Sequence, residues 1–381
     1  MEDSRRLLSY LYVTIFLTST AYGTVSFLLP VYAEELGASY VALGVIGSVG
    51  SAVYMIMTLT SGVLLDRFER IGFYIAFNII GIVVVLLFTL TTTVSQVVFV
   101  RGLIGVVSAA FWVTASTITA DISPPEALTQ SVGRYNLSWI AGFIVGPSLG
   151  GFISDRYGFQ TLFMSLSSLV ILSVVVTWAK FSKIQLRNQT GRRGFNSKAI
   201  SSLLTAYLTL FPFAIILGIY MAILPGHMRQ LGIVNSFIGL LLTMTNGVRG
   251  IGFFNAERFV KWGTRRSLWL ASLLLCGAFL LVAFSRETYD FILPLMMYGL
   301  AAGIMTSVIL DYIAHKTPRE SLGTAMGFHE GVYGVGMSIG PAAGGLIAEA
   351  FQPSTLYILL SVIALLIIPS SLGLRKGVDE T

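Results

Sequence analysis

Twelve stretches of this chain are each apolar for about the 20 residues that a helix needs to cross a hydrocarbon core, and nothing else in the sequence constrains the fold as strongly. They fall at roughly 7–32, 40–65, 71–92, 96–120, 127–154, 159–180, 200–225, 234–256, 267–285, 291–313, 321–348 and 354–373. Barrel strands would alternate polar and apolar residues over about ten positions, and runs such as Ile79–Leu90 do not. A backbone in lipid must satisfy its own hydrogen bonds, so the expected fold class is an all-α integral membrane bundle of twelve transmembrane helices. Only 11% of the 381 residues are charged and 55% are hydrophobic, against about 25% charged in a soluble domain. That shortage excludes a cytosolic enzyme, a DNA-binding protein and a disulfide scaffold. The first apolar run is longer than a signal-peptide core and eleven more follow it, so a cleaved signal is not expected.

The few charges are sorted by side. With both termini in the cytoplasm, 19 of the 24 Lys and Arg residues fall on the cytoplasmic face. Arg156, Arg229 and Arg286 fall outside, and Arg101 and Arg249 fall within helices. This bias sets the expected orientation in the plasma membrane, and it reads the net charge of +6 as topology rather than as nucleic-acid binding. The longest polar stretch, Lys180–Lys198, has six basic residues and no acidic one. It reads as a solvated cytoplasmic linker over 182–199, or else as a surface for anionic lipid headgroups. It separates two six-helix bundles, 1–181 and 200–381. A single cysteine, Cys276, and three scattered histidines (His227, His315, His329) form no ligand motif, so no metal and no cofactor is expected.

The two halves repeat each other. Leu29-Pro30, Leu36-Gly37 and Gly44 recur as Leu224-Pro225, Leu231-Gly232 and Gly239, and Tyr12 and Gly23 recur as Tyr207 and Gly218. Asp66-Arg67-Phe68 recurs as Glu257-Arg258-Phe259. The run from Ser123 to Leu128 recurs from Thr317 to Leu322, and each is predicted to be a capping box with proline at the first helical position. Ordered matches at nearly one offset indicate a parallel repeat, and such folds bind substrate between the halves near the bilayer midplane. The fifth helix also carries Gly133, Gly142, Gly146-Pro147 and Gly150-Gly151, and the eleventh repeats that spacing as Gly327, Gly336, Gly340-Pro341 and Gly344-Gly345. Small residues every four positions let helices approach closely, and proline kinks them.

With these motifs the sequence resembles the major facilitator superfamily over its whole length. The turn from Gly62 to Arg70 is similar to that family's signature loop. The resemblance implies a conformational clamp made by Gly62, Asp66, Arg67 and Arg70, with Glu69 standing where the family usually has glycine. Arg101 and Gly105 resemble an arginine-to-glycine motif linked to proton transfer. The glycine-proline pattern of the fifth helix resembles that of the proton-coupled drug and metabolite exporters; the alternative reading of its recurrence on the eleventh is duplication.

An ionisable side chain at a helix centre costs roughly 2.5–3.5 kcal/mol to insert, so Arg101, Arg249 and Glu330 are candidate functional groups. Glu330 shares a helix face with Tyr333 and Met337, and the repeat places Asn136, Trp139 and Phe143 on the matching face of the fifth helix. That pairing predicts a polar and aromatic substrate cavity. Burial raises a carboxylate pKa and a nearby cation lowers it, so Glu330 is the expected protonation site, with Arg249 or Arg101 as its partner. The plainer alternatives are a permanent ion pair at Glu330, arginines that snorkel to the interface and aromatics that only pack. His329 is expected on the helix surface. No acidic residue lies in the first helix, where several family exporters of cations carry one.

The favoured reading is a monomeric secondary transporter working by alternating access, exporting small lipophilic or amphipathic compounds against protons. An importer of a small nutrient or organic anion and a non-transporting sensor on the same fold are the alternatives. No paired carboxylates, activated nucleophile or phosphate loop suggests an enzyme.

Overall fold

A computed structural model describes residues 2–65, 67–182, 184, 203–318 and 321–374. Within these residues eleven helical stretches are long and apolar enough to cross a membrane. One of them, Gln130–Phe181, breaks at Gly158 (φ 81°, ψ 165°) and makes two crossings. The chain is therefore a twelve-span, all-α membrane protein built from two six-helix bundles. The first half supplies α1 (Glu2–Glu35), α2 (Tyr40–Leu65), α3 (Arg70–Leu87), α4 (Val94–Ile122), α5 (128–157) and α6 (159–181). The second supplies α7 (Leu204–Gln230), α8 (Asn235–Phe254), α9 (Thr264–Phe284), α10 (Ile292–Lys316), α11 (Leu322–Ala350) and α12 (Pro353–Ser371). The basic segment expected at 182–199 lies, apart from Ser182 and Ile184, outside the described residues, as does Asp66.

Lipid tails are as apolar as leucine, so these bundles hold together by close packing and interhelical hydrogen bonds. The glycine stripe of α5 meets α1. A Cβ at Gly142, Gly146 or Gly150 would fall within 3 Å of Ser19, Thr20, Thr24 or Leu28. The stripe of α11 meets α7 in the same way, with Gly336 against Ala214 and Gly340 against the backbone of Ile215. Gly133 and Gly327 share the spacing but have nothing within 4 Å. Hydrogen bonds follow the repeat as well: Tyr12 donates to the Ser131 carbonyl (3.1 Å), and Tyr207 donates to the Ala325 carbonyl (3.0 Å). In the first half a buried polar ladder joins α1 to α3 and α6 through Thr14–Tyr74 (3.3 Å), Thr18–Asn78 (3.3 Å) and Thr18–Ser173 (2.9 Å).

Two expected caps are replaced by another bond. The Ser123 hydroxyl donates back to the Thr119 carbonyl (2.5 Å), and the Thr317 hydroxyl donates to the Ile313 carbonyl (2.6 Å). Each residue follows a helix whose last carbonyls lack partners, and a hydroxyl four residues on reaches one of them before it can reach the next helix.

The contacts group the chain into two compact units. One comprises Met1–Gly37, Val49–Thr190 and Val234–Thr243; the other comprises Ala38–Ser48, Gly191–Ile233 and Met244–Thr381. Each unit thus takes in the first turns of one helix from the opposite half of the sequence. In the first, the start of α8 lies on α5, where Gly239 and Gly151 allow backbone contact with Pro147 and Asn235. In the second, the start of α2 lies on α11 through Gly44 and Gly345.

Gly158 and Gln352 occupy equivalent places in the repeat, at the α5–α6 and α11–α12 breaks. Gln352 adopts φ 146°, a region that favours glycine. A non-glycine residue held there costs about 1–3 kcal/mol, and the entropy lost by an introduced glycine offsets about 0.5–1 kcal/mol of the gain. Gln352→Gly is therefore expected to stabilise the protein by about 1 kcal/mol, seen as a raised unfolding temperature in detergent; a lowered one would contradict the strain.

Candidate functional site

At the turn that carries the signature loop, Arg70 forms an ion pair with Asp121 at the end of α4. Glu69 replaces the expected glycine without strain: its φ is −67°, and its carboxylate caps α3 by accepting from the Ile71 and Gly72 amides (2.9 and 2.5 Å). Gly62 has open space where a Cβ would lie, and the Arg67 amide donates to the Leu64 carbonyl. At the degenerate copy in the second half, Lys261 lies 2.6 Å from Glu257 and holds that exposed carboxyl below its usual range.

In the first unit Trp139 is anchored by its indole N–H, which donates to the Asn136 side-chain oxygen (3.1 Å). Its ring packs edge-on against Phe143 (5.6 Å between centroids) and Trp112 (6.1 Å), and Phe143 continues to Phe27 (5.9 Å). Phe143 lies this close to α1 because Gly23 has no Cβ. Trp112, on α4, joins this aromatic group although nothing in its own helix's periodicity singles it out. Arg101 also lies in this unit, its guanidinium against Gly50 of α2, and no described carboxylate pairs with it. Gly50 leaves the room, and Gly105 one turn further on brings α4 onto the backbone of Gly50 and Tyr54.

In the second unit Glu330 of α11 has 58% of its side chain exposed and accepts its bond from His329 Nδ1 (3.1 Å), written for the tautomer with the proton there. Neither predicted arginine partner is paired with it among the described residues. His329 is not on the helix surface as expected: it is 2% exposed, and its ring packs against Tyr333 at 4.9 Å. Tyr333 meets Phe213 (6.1 Å), and its hydroxyl lies 3.4 Å from that of Thr306. Met337 is half-buried, with its backbone against Gly218 of α7. Arg249 lies over the Phe253 ring at 5.3 Å. The structure thus brings Glu330, Tyr333 and Met337 onto one helix with His329 added, and gathers Asn136 and Trp139 with Phe143 and Trp112. Among the described residues no cluster of His, Cys, Asp and Glu could hold a metal.

The family model described as Major Facilitator Superfamily matches residues 11–217 and 206–377. The chain belongs to the Major Facilitator Superfamily. Its relatives in this superfamily include the multi-drug resistance efflux pump PmrA of Streptococcus pneumoniae, 24% identical over 359 residues and covering 88% of each chain. The multidrug resistance protein MdtG of Escherichia fergusonii is 24% identical over 378 residues, covering 95% of this chain and 92% of its own. Among solved structures, the nucleoside transporter NupG superimposes with a TM-score of 0.77 at 14% identity, over 96% of this chain and 98% of that one. The superfamily membership makes this a multi-pass membrane transporter and not an enzyme, with a small-molecule substrate.

Proposed function

We propose that this chain exports small lipophilic or amphipathic compounds in exchange for protons. It does so as a monomer by alternating access, with the halves 1–181 and 200–381 as the moving bodies and both termini in the cytoplasm. Glu330 carries the reading. A carboxylate within a membrane span that is more than half exposed, and is hydrogen-bonded to a neutral-capable imidazole rather than locked to a guanidinium, can take and release a proton in each cycle. Two relatives named as multidrug efflux proteins support the outward direction. The aromatic group around Trp139 suits an apolar substrate body.

The test is flux in proteoliposomes under an imposed pH gradient. Glu330→Gln is expected to lower gradient-driven substrate movement by about tenfold or more while leaving substrate-for-substrate exchange in place. A variant as strongly gradient-driven as the parent would remove Glu330 from the mechanism, and inward substrate movement under the physiological gradient would reverse the direction.

A further inference from the structure

Four helices of the second unit converge on Arg249. α8 carries it, while α7, α10 and α11 bring Tyr220, Tyr298 and Tyr333 into its electrostatic range. The approach is built into the sequence: Gly299 and Gly303 of α10 leave no side chain between that helix and the carbonyls of Thr245 and Arg249. Tyr220 and Tyr298 stack at 4.0 Å with 28° between their rings, and both are buried.

This group has too many donors and too little negative charge. A guanidinium offers five N–H donors and accepts none, and among the described residues no carboxylate pairs with Arg249. Its Nε is buried without an acceptor. The Tyr298 hydroxyl, in a residue 3% exposed, is likewise without a partner. An uncompensated cation and unused polar groups inside a membrane span are costly, and what satisfies them together is a ligand bringing both acceptor oxygens and negative charge. The stacked tyrosines and Phe253 supply apolar surface beside the guanidinium for the remainder of such a ligand.

We propose that Arg249, with Tyr298, binds the acidic group of an amphipathic organic anion, so that the exported compounds include carboxylates and related oxyacids carrying an aromatic or aliphatic body. This deepens the exporter reading and rests on it for the word "exported"; the binding itself does not.

The experiment measures binding of three matched probes (naphthylacetate, naphthylethanol and naphthylethylammonium) to the full chain in dodecyl maltoside by isothermal titration. Naphthylacetate is expected to bind about tenfold or more tightly than the alcohol, with the ammonium weakest. Arg249→Gln is expected to bring the acetate down to the alcohol's affinity and leave the alcohol unchanged. Arg249→Lys, which keeps the charge but not the fork, retains part of the preference. An unfolding temperature for each variant separates lost binding from lost fold, and Tyr298→Phe provides a second, milder loss. The ammonium binding tightest, or the order surviving Arg249→Gln, would overturn the proposal. Repeating the titration in phosphatidylcholine and phosphatidylglycerol nanodiscs distinguishes the source of the acid. If phosphatidylglycerol displaces the acetate and not the alcohol, the occupant is a lipid headgroup and the substrate assignment is overturned. Because no flux is needed, an anion preference without transport would sink the exporter reading alone, and transport without an anion preference would sink this one alone.

Discussion

Gly146→Leu and Gly340→Leu are each expected to abolish the folded protein, whereas Gly133→Leu and Gly327→Leu are expected to leave it as stable as the parent or more so. All four glycines belong to one spacing pattern, and their surroundings separate them. At Gly146 a Cβ would press on the Thr20 carbonyl and the Thr24 hydroxyl; at Gly340 it would press on the Ile215 backbone. Backbone of a neighbouring helix cannot rotate away, so the helices must part. Overpacking of a tight core costs about 1–3 kcal/mol and occasionally more, and a leucine driven into a helix crossing belongs at the upper end. Parting α5 from α1 would also break the Tyr12–Ser131 bond, and parting α11 from α7 the Tyr207–Ala325 bond, each worth about 0.6 kcal/mol in a membrane. Sterics therefore dominate the loss. At Gly133 and Gly327, with nothing within 4 Å, a side chain meets open space and replaces the poorest helix former but proline, for a gain of about 0.5–1 kcal/mol. Monodisperse yield and unfolding temperature in detergent decide the matter; Gly340→Leu behaving like Gly327→Leu would mean that the close crossing is not what holds the second bundle.

That contrast shows where the sequence was legible and where it was not. Span number, the repeat and the small-residue stripes were readable because each is a property of one helix or of a copy at fixed offset. Which glycines of a stripe touch a neighbour depends on the crossing point, and no single-helix pattern contains it. The same limit explains His329, predicted on the surface and found buried: it neighbours Glu330 in sequence, yet its burial depends on the helices packed around α11. Ser123 and Thr317 fitted a capping pattern, but that pattern does not record the free carbonyl four residues back. At the α5–α6 break the turn falls on a glycine, Gly158, while its counterpart Gln352 also has a positive φ with no compositional sign. Asp155 and Glu349 passed unnoticed although they stand at equivalent places in the repeat, because each caps a helix other than its own.

Removing those two carboxylates is expected to loosen two helix starts and nothing else. Asp155, at the end of α5, accepts the backbone N–H groups of Asn235 and Ser236 (3.0 and 2.6 Å), the first donors of α8. Glu349, at the end of α11, accepts the Tyr40 N–H (2.9 Å) at the start of α2. A helix N-terminus has four unpaired donors and a partial positive charge, so a carboxylate there forms charge-assisted bonds. Such bonds contribute about 1.5–3 kcal/mol each, and every 1.4 kcal/mol is about tenfold in an opening equilibrium. Asp155→Ala is therefore expected to speed amide exchange by about tenfold or more in peptides spanning 232–243, and Glu349→Ala to do so in peptides spanning 37–48. The Asp155 effect is the larger, because two bonds are lost rather than one. Asp155→Asn, which keeps an acceptor oxygen, stays closer to the parent. In the proposed cycle both helix starts leave these partners once per turnover, so ties of this strength would set how readily they do so. Exchange mass spectrometry with each single variant is decisive: protection lost only in the segment whose carboxylate is gone supports two independent ties, and protection unchanged in both segments would show that the glycine contacts hold them unaided.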